Sequence, residues 1–286
     1  MPRDAVTLAA RESANDMSPM EVGVLLAFGV LIGAYSVAIG AGGAFLVAPL
    51  LLVRYPTAEP ELVATASLAT VILSSGLSSV VVTREGRVDL RVGFVISAVA
   101  VPAALLAAAG TSLLPRDVFV MGIAFILVAL ALWLAWRPHG PDQELSEHGW
   151  SRRIEDHRGN VFIYRVPVLR SILPLVIASF VATLAGISGG PLKVPLLTRI
   201  MLMPHAIAVP TVHIANASAA GAAVALHLAM GHGGEPLQAA LWLGIGMVAA
   251  NPLGQRARRS FGEGALTRLL ALGLLGIGAQ TAWGAL

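Results

Sequence analysis

Gly186-Ile187-Ser188-Gly189-Gly190-Pro191-Leu192-Lys193-Val194-Pro195-Leu196 decides how this chain is read. It sets the chain's single lysine in an apolar run just after a glycine pair. A counterpart lies 146 residues earlier (186 − 40), at Gly40-Ala41-Gly42-Gly43-Ala44-Phe45-Leu46-Val47-Ala48-Pro49-Leu50. A hydrocarbon core of about 30 Å takes about 20 apolar residues to cross. The runs that follow the glycines, 44–53 and 191–203, are too short for that, so each reads as a half-helix. A half-helix that starts inside apolar surroundings leaves its first N–H groups unpaired and its positive pole exposed. An anion satisfies both. The glycines let the backbone come close to a ligand, and Pro191 suits a first helical turn.

Composition sets the surroundings. The 286 residues are 56% apolar and 12% charged, with a mean hydropathy of +0.79, whereas soluble domains carry about 25% charge. Apolar segments at about 20–39, 62–83, 92–110, 117–136, 171–187, 206–230, 236–250 and 265–285 predict an all-α multi-pass membrane protein. The lipid bilayer is therefore the first expected partner. With no cysteine, disulfides, thiolate chemistry and Cys-ligated metals are excluded. The pI of about 9.9 comes from a net charge of only +3 and does not point to nucleic acid. His139, His148 and His157 are spaced by nine, which fits neither zinc-ligand intervals nor a helical pair, so no metal is expected. There is no phosphate-binding loop, paired-carboxylate site or nucleophile with a base. The reading is not an enzyme, with no cofactor.

The two glycine breaks head two copies of one unit. The same offset sets Thr65 on Thr211, and four inserted residues then set Pro102 on Pro252 and Trp133 on Trp283. The expected organisation is a tail (1–19), repeat 1 (20–136), a cytoplasmic polar loop (137–170) and repeat 2 (171–286). Each repeat is read as a glycine-broken re-entrant element plus three transmembrane helices. Three crossings are odd, so the second copy is inverted relative to the first. That topology leaves Arg3, Arg11, Arg54 and Arg116 on one side and the other fourteen arginines on the opposite side. The excess marks the cytoplasm, so the expectation is a cell (inner) membrane protein with both termini outside. The run 20–39 is long for a hairpin arm, which keeps a full crossing open there. Inverted repeats with broken helices are a recurrent plan for secondary transporters, with the site near the midplane.

On these residues the chain resembles the TauE/SafE sulfite exporter family of multi-pass membrane transporters. That family's hallmark is a glycine-rich break, aromatic or apolar residues, proline and leucines, then a small Ala-Thr-Ser segment. Here the breaks at 40–50 and 186–196 are followed by Ala64-Thr65-Ala66-Ser67 and by Thr211. The resemblance spans about residues 20–285. It implies export of sulfite, small organosulfonates or related anions. Ala44 stands where the pattern has a third glycine, and Val212-His213 replace small residues after Thr211. Those departures bear on the substrate rather than the fold.

The candidate substrate-binding residues are Gly42, Gly43 and Ala44 at the first break, and Gly189, Gly190 and Lys193 at the second. Thr65, Ser67, Thr211, His213 and Asn216 join them as hydrogen-bonding positions in apolar helices. A charge at membrane depth costs about 2.5–3.5 kcal/mol on insertion scales. Lys193 is therefore either the countercharge for an anion or a lysine that snorkels to the surface. The hydroxyl positions serve either a ligand or helix packing. Ser74, Ser75, Ser78 and Ser79 read as packing residues. His213 and His227 are candidates for proton coupling, His213 the preferred one. Glu21 and Glu61 sit at segment ends, which speaks against a carboxylate relay.

The function expected is a secondary transporter that exports a small sulfur oxyanion or organosulfonate by alternating access. The coupling ion would be a proton or Na+, and a homodimer is an open possibility. Two alternatives remain: an anion channel, and a membrane component of sulfur metabolism that works with a soluble partner.

Overall fold

The computed structural model describes residues 17–39, 44–136, 149–187 and 189–260, with 268, 271–273, 275–276 and 278–280 near the end of the chain. Gly42, Gly43 and Ser188 lie outside the described residues. The first helix, α1 (Pro19–Ile39), opens on a capping box. In it the Ser18 hydroxyl accepts from the Glu21 N–H (3.2 Å), and the Glu21 carboxylate accepts from the Ser18 N–H (3.1 Å). After the first break, Ala44 opens a 3-10 turn (Ala44–Leu46) that leads into the half-helix α2 (Val47–Arg54). Then come α3 (Pro60–Arg84), started by a first-turn proline, α4 (Leu90–Thr111) and α5 (Arg116–Trp136). A strand pair, β1 (Trp150–Glu155) and β2 (Val161–Val166), precedes α6 (Val168–Leu184). The second half-helix, α7 (Gly190–Arg199), leads to α8 (His205–Ala229), α9 (Glu235–Ala249) and α10 (Asn251–Ser260).

Among the described residues α1, α3, α4 and α8 are long and apolar enough to cross a membrane. The bundle presents large apolar side chains outward, among them Leu31 (67% exposed), Phe94, Phe125 (75%), Leu169 and Leu173. Water would penalise such a surface; hydrocarbon does not. The chain is a multi-pass membrane protein. Both half-helices expected after the glycine breaks form. Pro252 falls where α9 gives way to α10, whereas Pro102 stays inside an unbroken α4.

The centre is the antiparallel pair α3 and α8. Thr65, near the start of α3, bonds His227 near the end of α8, and Ser75 meets His213 one stretch further in. Around that pair the contacts exchange in a regular way. α8 packs on α4, and α3 packs on α9; α4 packs on α6, and α9 on α1; α7 lies on α8, and α2 on α3.

Some of these contacts rest on missing side chains. Where α1 meets α9, a Cβ on Gly29 would run into the Leu243 carbonyl oxygen, and one on Gly246 into that of Leu26. Helices in lipid gain from such close backbone approach, because apolar burial gives them little extra.

The segment 137–170, expected as a polar loop, is more ordered than that reading over its described part. Residues 150–155 and 161–166 pair antiparallel, Trp150 opposite Val166 and Glu155 opposite Val161. Ile154, Phe162, Tyr164 and Val166 alternate along the strands and pack on the cluster of Leu197, Met201 and Ile207 beneath the bundle. Period-two alternation of this kind is a strand signal.

The α1–α9 contact generates a prediction. Gly246→Leu forces the two backbones apart; overpacking of this kind typically costs about 1–3 kcal/mol. The protein in mild detergent is expected to unfold at a lower temperature than wild type. An unchanged unfolding temperature would contradict the close packing.

Candidate functional site

The second glycine break builds a buried polar centre. The chain leaves α6, turns at Gly186 and starts α7 at Gly190. Gly186 has φ of +62°, and a Cβ there would sit 2.7 Å from Ala64 Cα, so both conformation and space require glycine. The break thus leans on the Ala64-Thr65-Ala66-Ser67 segment of α3. Three residues on, Gly189 faces α8: a Cβ would lie 2.7 Å from Asn216 Oδ1 and 2.9 Å from Lys193 Nζ.

Lys193 does not snorkel. Its side chain is 2% exposed, and Nζ donates to Asn216 Oδ1 at 3.1 Å. None of the ion pairs among the described residues involves it. The other half of the amide, Asn216 Nδ2, is buried with no hydrogen-bond partner among the described residues. An ammonium has three protons to give, and buried polar groups are nearly always paired. One lysine, one amide donor and the start of a half-helix therefore converge from α7 and α8 around a centre that, among the described residues, is rich in donors and poor in acceptors. That is the chemistry of a small-anion site.

Of the candidates named from the sequence, Gly189, Lys193 and Asn216 come together here, with Gly190 opening α7. Gly42 and Gly43 lie outside the described residues, and Ala44 begins the turn before α2. Thr65 and Thr211 do not share one place. Thr65 Oγ1 lies 2.8 Å from His227 Nδ1 and donates to the Glu61 carbonyl at 2.5 Å. Thr211 lies 16 residues before His227 on α8, about 24 Å along the axis at 1.5 Å per residue. Its hydroxyl accepts from the Asp89 N–H at 3.1 Å. Ser67 is buried on α3. His213 Nδ1 approaches Ser75 Oγ at 3.4 Å, a long contact.

Thr211 leads to a cluster that the sequence did not disclose. Asp89 caps α4, its Oδ1 accepting from the Val92 N–H at 3.1 Å. Arg152 of β1 grips the same carboxylate with two bonds, Nε to Oδ2 at 2.7 Å and a terminal nitrogen to Oδ1 at 2.8 Å. The Tyr164 hydroxyl of β2 donates to Oδ2 at 2.7 Å, and the Arg152 guanidinium stacks 4.8 Å from the Trp150 ring centroid. The strand pair is thereby clamped to the bases of α4 and α8. Burial alone raises the Asp89 pKa, but the bonds from Arg152, Tyr164 and Val92 outweigh it and hold the carboxyl below its ordinary 3.8. Burial and the adjacent carboxylate push the Tyr164 phenol up. Two signals were present in the sequence: an Asp directly before an apolar helix, and alternating strands around Arg158-Gly159-Asn160.

The family model for the sulfite exporter TauE/SafE matches residues 25–281. The chain belongs to that family. A curated relative is a probable membrane transporter protein, YunE, of Bacillus subtilis (strain 168), 24% identical over 196 residues that cover 66% of this chain and 71% of the relative. No solved structure matches. Membership and the apolar helices together make the chain a membrane transporter of the TauE/SafE type. The two glycine breaks, α2 and α7 all fall inside the matched residues.

The clamp yields the second prediction. Arg152→Ala leaves the Asp89 charge buried without its partner, a change that costs about 3–5 kcal/mol in comparable cases. Trypsin is expected to cut at Arg158 and Arg165 far faster than in wild type. In wild type the attachment is complete above the unfolded carboxylate value and is lost as pH falls through the lower folded value, so acid release begins only below about pH 4. Resistance to trypsin that persists in the variant, or strand release near neutral pH in wild type, contradicts the clamp.

Proposed function

We propose that this chain is a secondary transporter that exports a small sulfur oxyanion or organosulfonate across the cell membrane by alternating access. One observation carries the reading: Lys193 and Asn216 offer buried donors that no acceptor beyond their own mutual bond satisfies among the described residues. An anion bound there supplies the missing acceptors and the countercharge, and the start of α7 adds its positive pole.

The exchanged contacts support inversion. Interchanging α1 with α6, α2 with α7, α3 with α8 and α4 with α9 turns α8 on α4 into α3 on α9, α9 on α1 into α4 on α6 and α7 on α8 into α2 on α3, and leaves α3 on α8 as it is. The antiparallel run of α3 against α8 is what a two-fold axis in the membrane plane requires. The strand pair, Arg87, Arg91 and Arg199 lie toward the starts of α4 and α8, whereas Arg54 pairs with Glu21 at the start of α1 and Arg116 bonds the Ala58 carbonyl near the start of α3. The arginine-rich end is then cytoplasmic.

Purified protein in liposomes tests the proposal with sulfite, thiosulfate, a sulfonate such as sulfoacetate, and a carboxylate control. Saturable, gradient-driven flux of a sulfur anion is expected. Loss of a hydrogen bond to a charged group, about 1.5–3 kcal/mol, lowers that flux roughly ten- to a hundredfold in Lys193→Met. Full flux in Lys193→Met overturns the site, flux that never saturates favours a channel, and no flux from wild type removes the transport reading.

A further inference from the structure

A second buried polar cluster lies at the opposite end of α8 from the clamp. His227, fully buried in the last turn of α8, places Nε2 3.1 Å from the carbonyl oxygen of Ala108 and Nδ1 2.8 Å from Thr65 Oγ1. The two partners are not alike. A carbonyl oxygen can only accept, so Nε2 carries a proton. The threonine hydroxyl can do either, because it also reaches the Glu61 carbonyl at 2.5 Å. With His227 neutral, Thr65 donates to Nδ1. With His227 protonated, Nδ1–H donates to Thr65, whose own proton turns to the Glu61 carbonyl. Every bond at His227 is kept in both states, so the ring gains or loses a proton without orphaning a buried group.

The ring lies where two helices end. Ala108 belongs to the last turn of α4, whose final carbonyls lack helical partners, and His227 closes α8. Two negative helix poles therefore meet at the ring. Among the described residues the titratable groups that face it are His232, from the α8–α9 connection with its ring centroid 5.9 Å away, and Glu61, from the first turn of α3. Glu61 Oε1 lies 3.8 Å from His232 Nε2, and the two side chains keep 12% and 20% exposure. α4 presents its Ala108 carbonyl, and Lys193 of α7 meets α8 at Asn216, roughly 16 Å away along the axis. Glu61 and His232 thus form a half-open mouth and His227 the closed end. The described residues hold no group of three His, Asp or Glu placed to bind a metal ion.

We infer that His227, reached through Glu61 and His232 and switched by Thr65, is a proton-binding site that couples anion movement to the proton gradient. This rests on the transport reading above and names its coupling ion. The proton comes from water at the Glu61 end and adds to the Nδ1 lone pair; no other bond is made or broken. The route to the anion is short in sequence terms. Thr65 follows Ala64, and Ala64 is the residue on which Gly186, the hinge of the break that carries Lys193, rests. The proton site and the support of the break that carries Lys193 therefore share one segment of α3.

The test has two arms. In purified protein labelled with 15N-histidine, the His227 ring, assigned by its loss in His227→Gln, is expected to pass from neutral to doubly protonated as the pH is lowered. Thr65→Val, without a hydroxyl to accept from Nδ1, is expected to lose that transition. A wild-type ring that keeps one state throughout overturns the inference. In liposomes holding a pH-sensitive dye, wild type is expected to move protons with the sulfur anion. His227→Gln and His232→Gln are expected to keep anion counterflow at equal pH while losing the proton movement. Proton movement retained in both overturns the inference. If wild type moves no anion at all, the transport reading fails, and the histidine spectra alone decide whether the proton site exists.

Discussion

A lysine shut inside an apolar bundle governs this structure. The cost of a charge at membrane depth forces everything near Lys193 to be arranged around it. Gly189 has no side chain because Nζ and Asn216 Oδ1 occupy the space. Asn216 turns its oxygen to the ammonium and is left with an amide nitrogen unpaired among the described residues. Gly186 takes a left-handed turn so that α7 can begin beside α8 instead of continuing α6. Such an arrangement is costly as a purely structural device, since an apolar residue would fill the same volume without a buried donor. The anion proposed above would supply the missing acceptors.

The rest of the bundle can be understood as holding that centre between two ends. At one end Asp89 gathers the start of α4, Thr211 of α8 and the strand pair through Arg152 and Tyr164. At the other, His227 joins the ends of α4 and α8 to the start of α3. α8 runs through both, with Asn216 between them. The two threonines that align in the sequence, Thr65 and Thr211, each serve one end, so they do not share a ligand position. Polar residues spaced along one helix in this way tie the central site to both ends of the bundle.

Much of the frame was legible in the sequence. The short apolar runs after Gly43 and Gly190 announced half-helices, because length alone forbids them to cross. Lys193 announced itself through its solitude, and Asn216 through polarity in an apolar helix. What could not be read was which polar groups meet. Thr65 and His227 are 162 positions apart, and only the antiparallel packing of α3 on α8 brings them together. Glu61 looked peripheral because it ends an apolar segment; its contact with His232 depends on a turn after α8. The strand pair was hidden by its setting: Arg152, Arg153, Arg158 and Arg165 give 137–170 the composition of a solvated loop, while Ile154, Phe162, Tyr164 and Val166 bury the other face. Charge content outweighed alternation there.

Equilibrium binding of sulfite and sulfoacetate to the purified protein, followed by calorimetry in detergent, bears most directly on the buried donor centre, because it needs neither a gradient nor a completed cycle. One sulfur anion is expected to bind wild type with a favourable enthalpy from charge-assisted bonds, and to lose that heat in both Lys193→Met and Asn216→Leu. Equal binding by wild type and both variants would place the anion elsewhere and leave Lys193 as a structural residue.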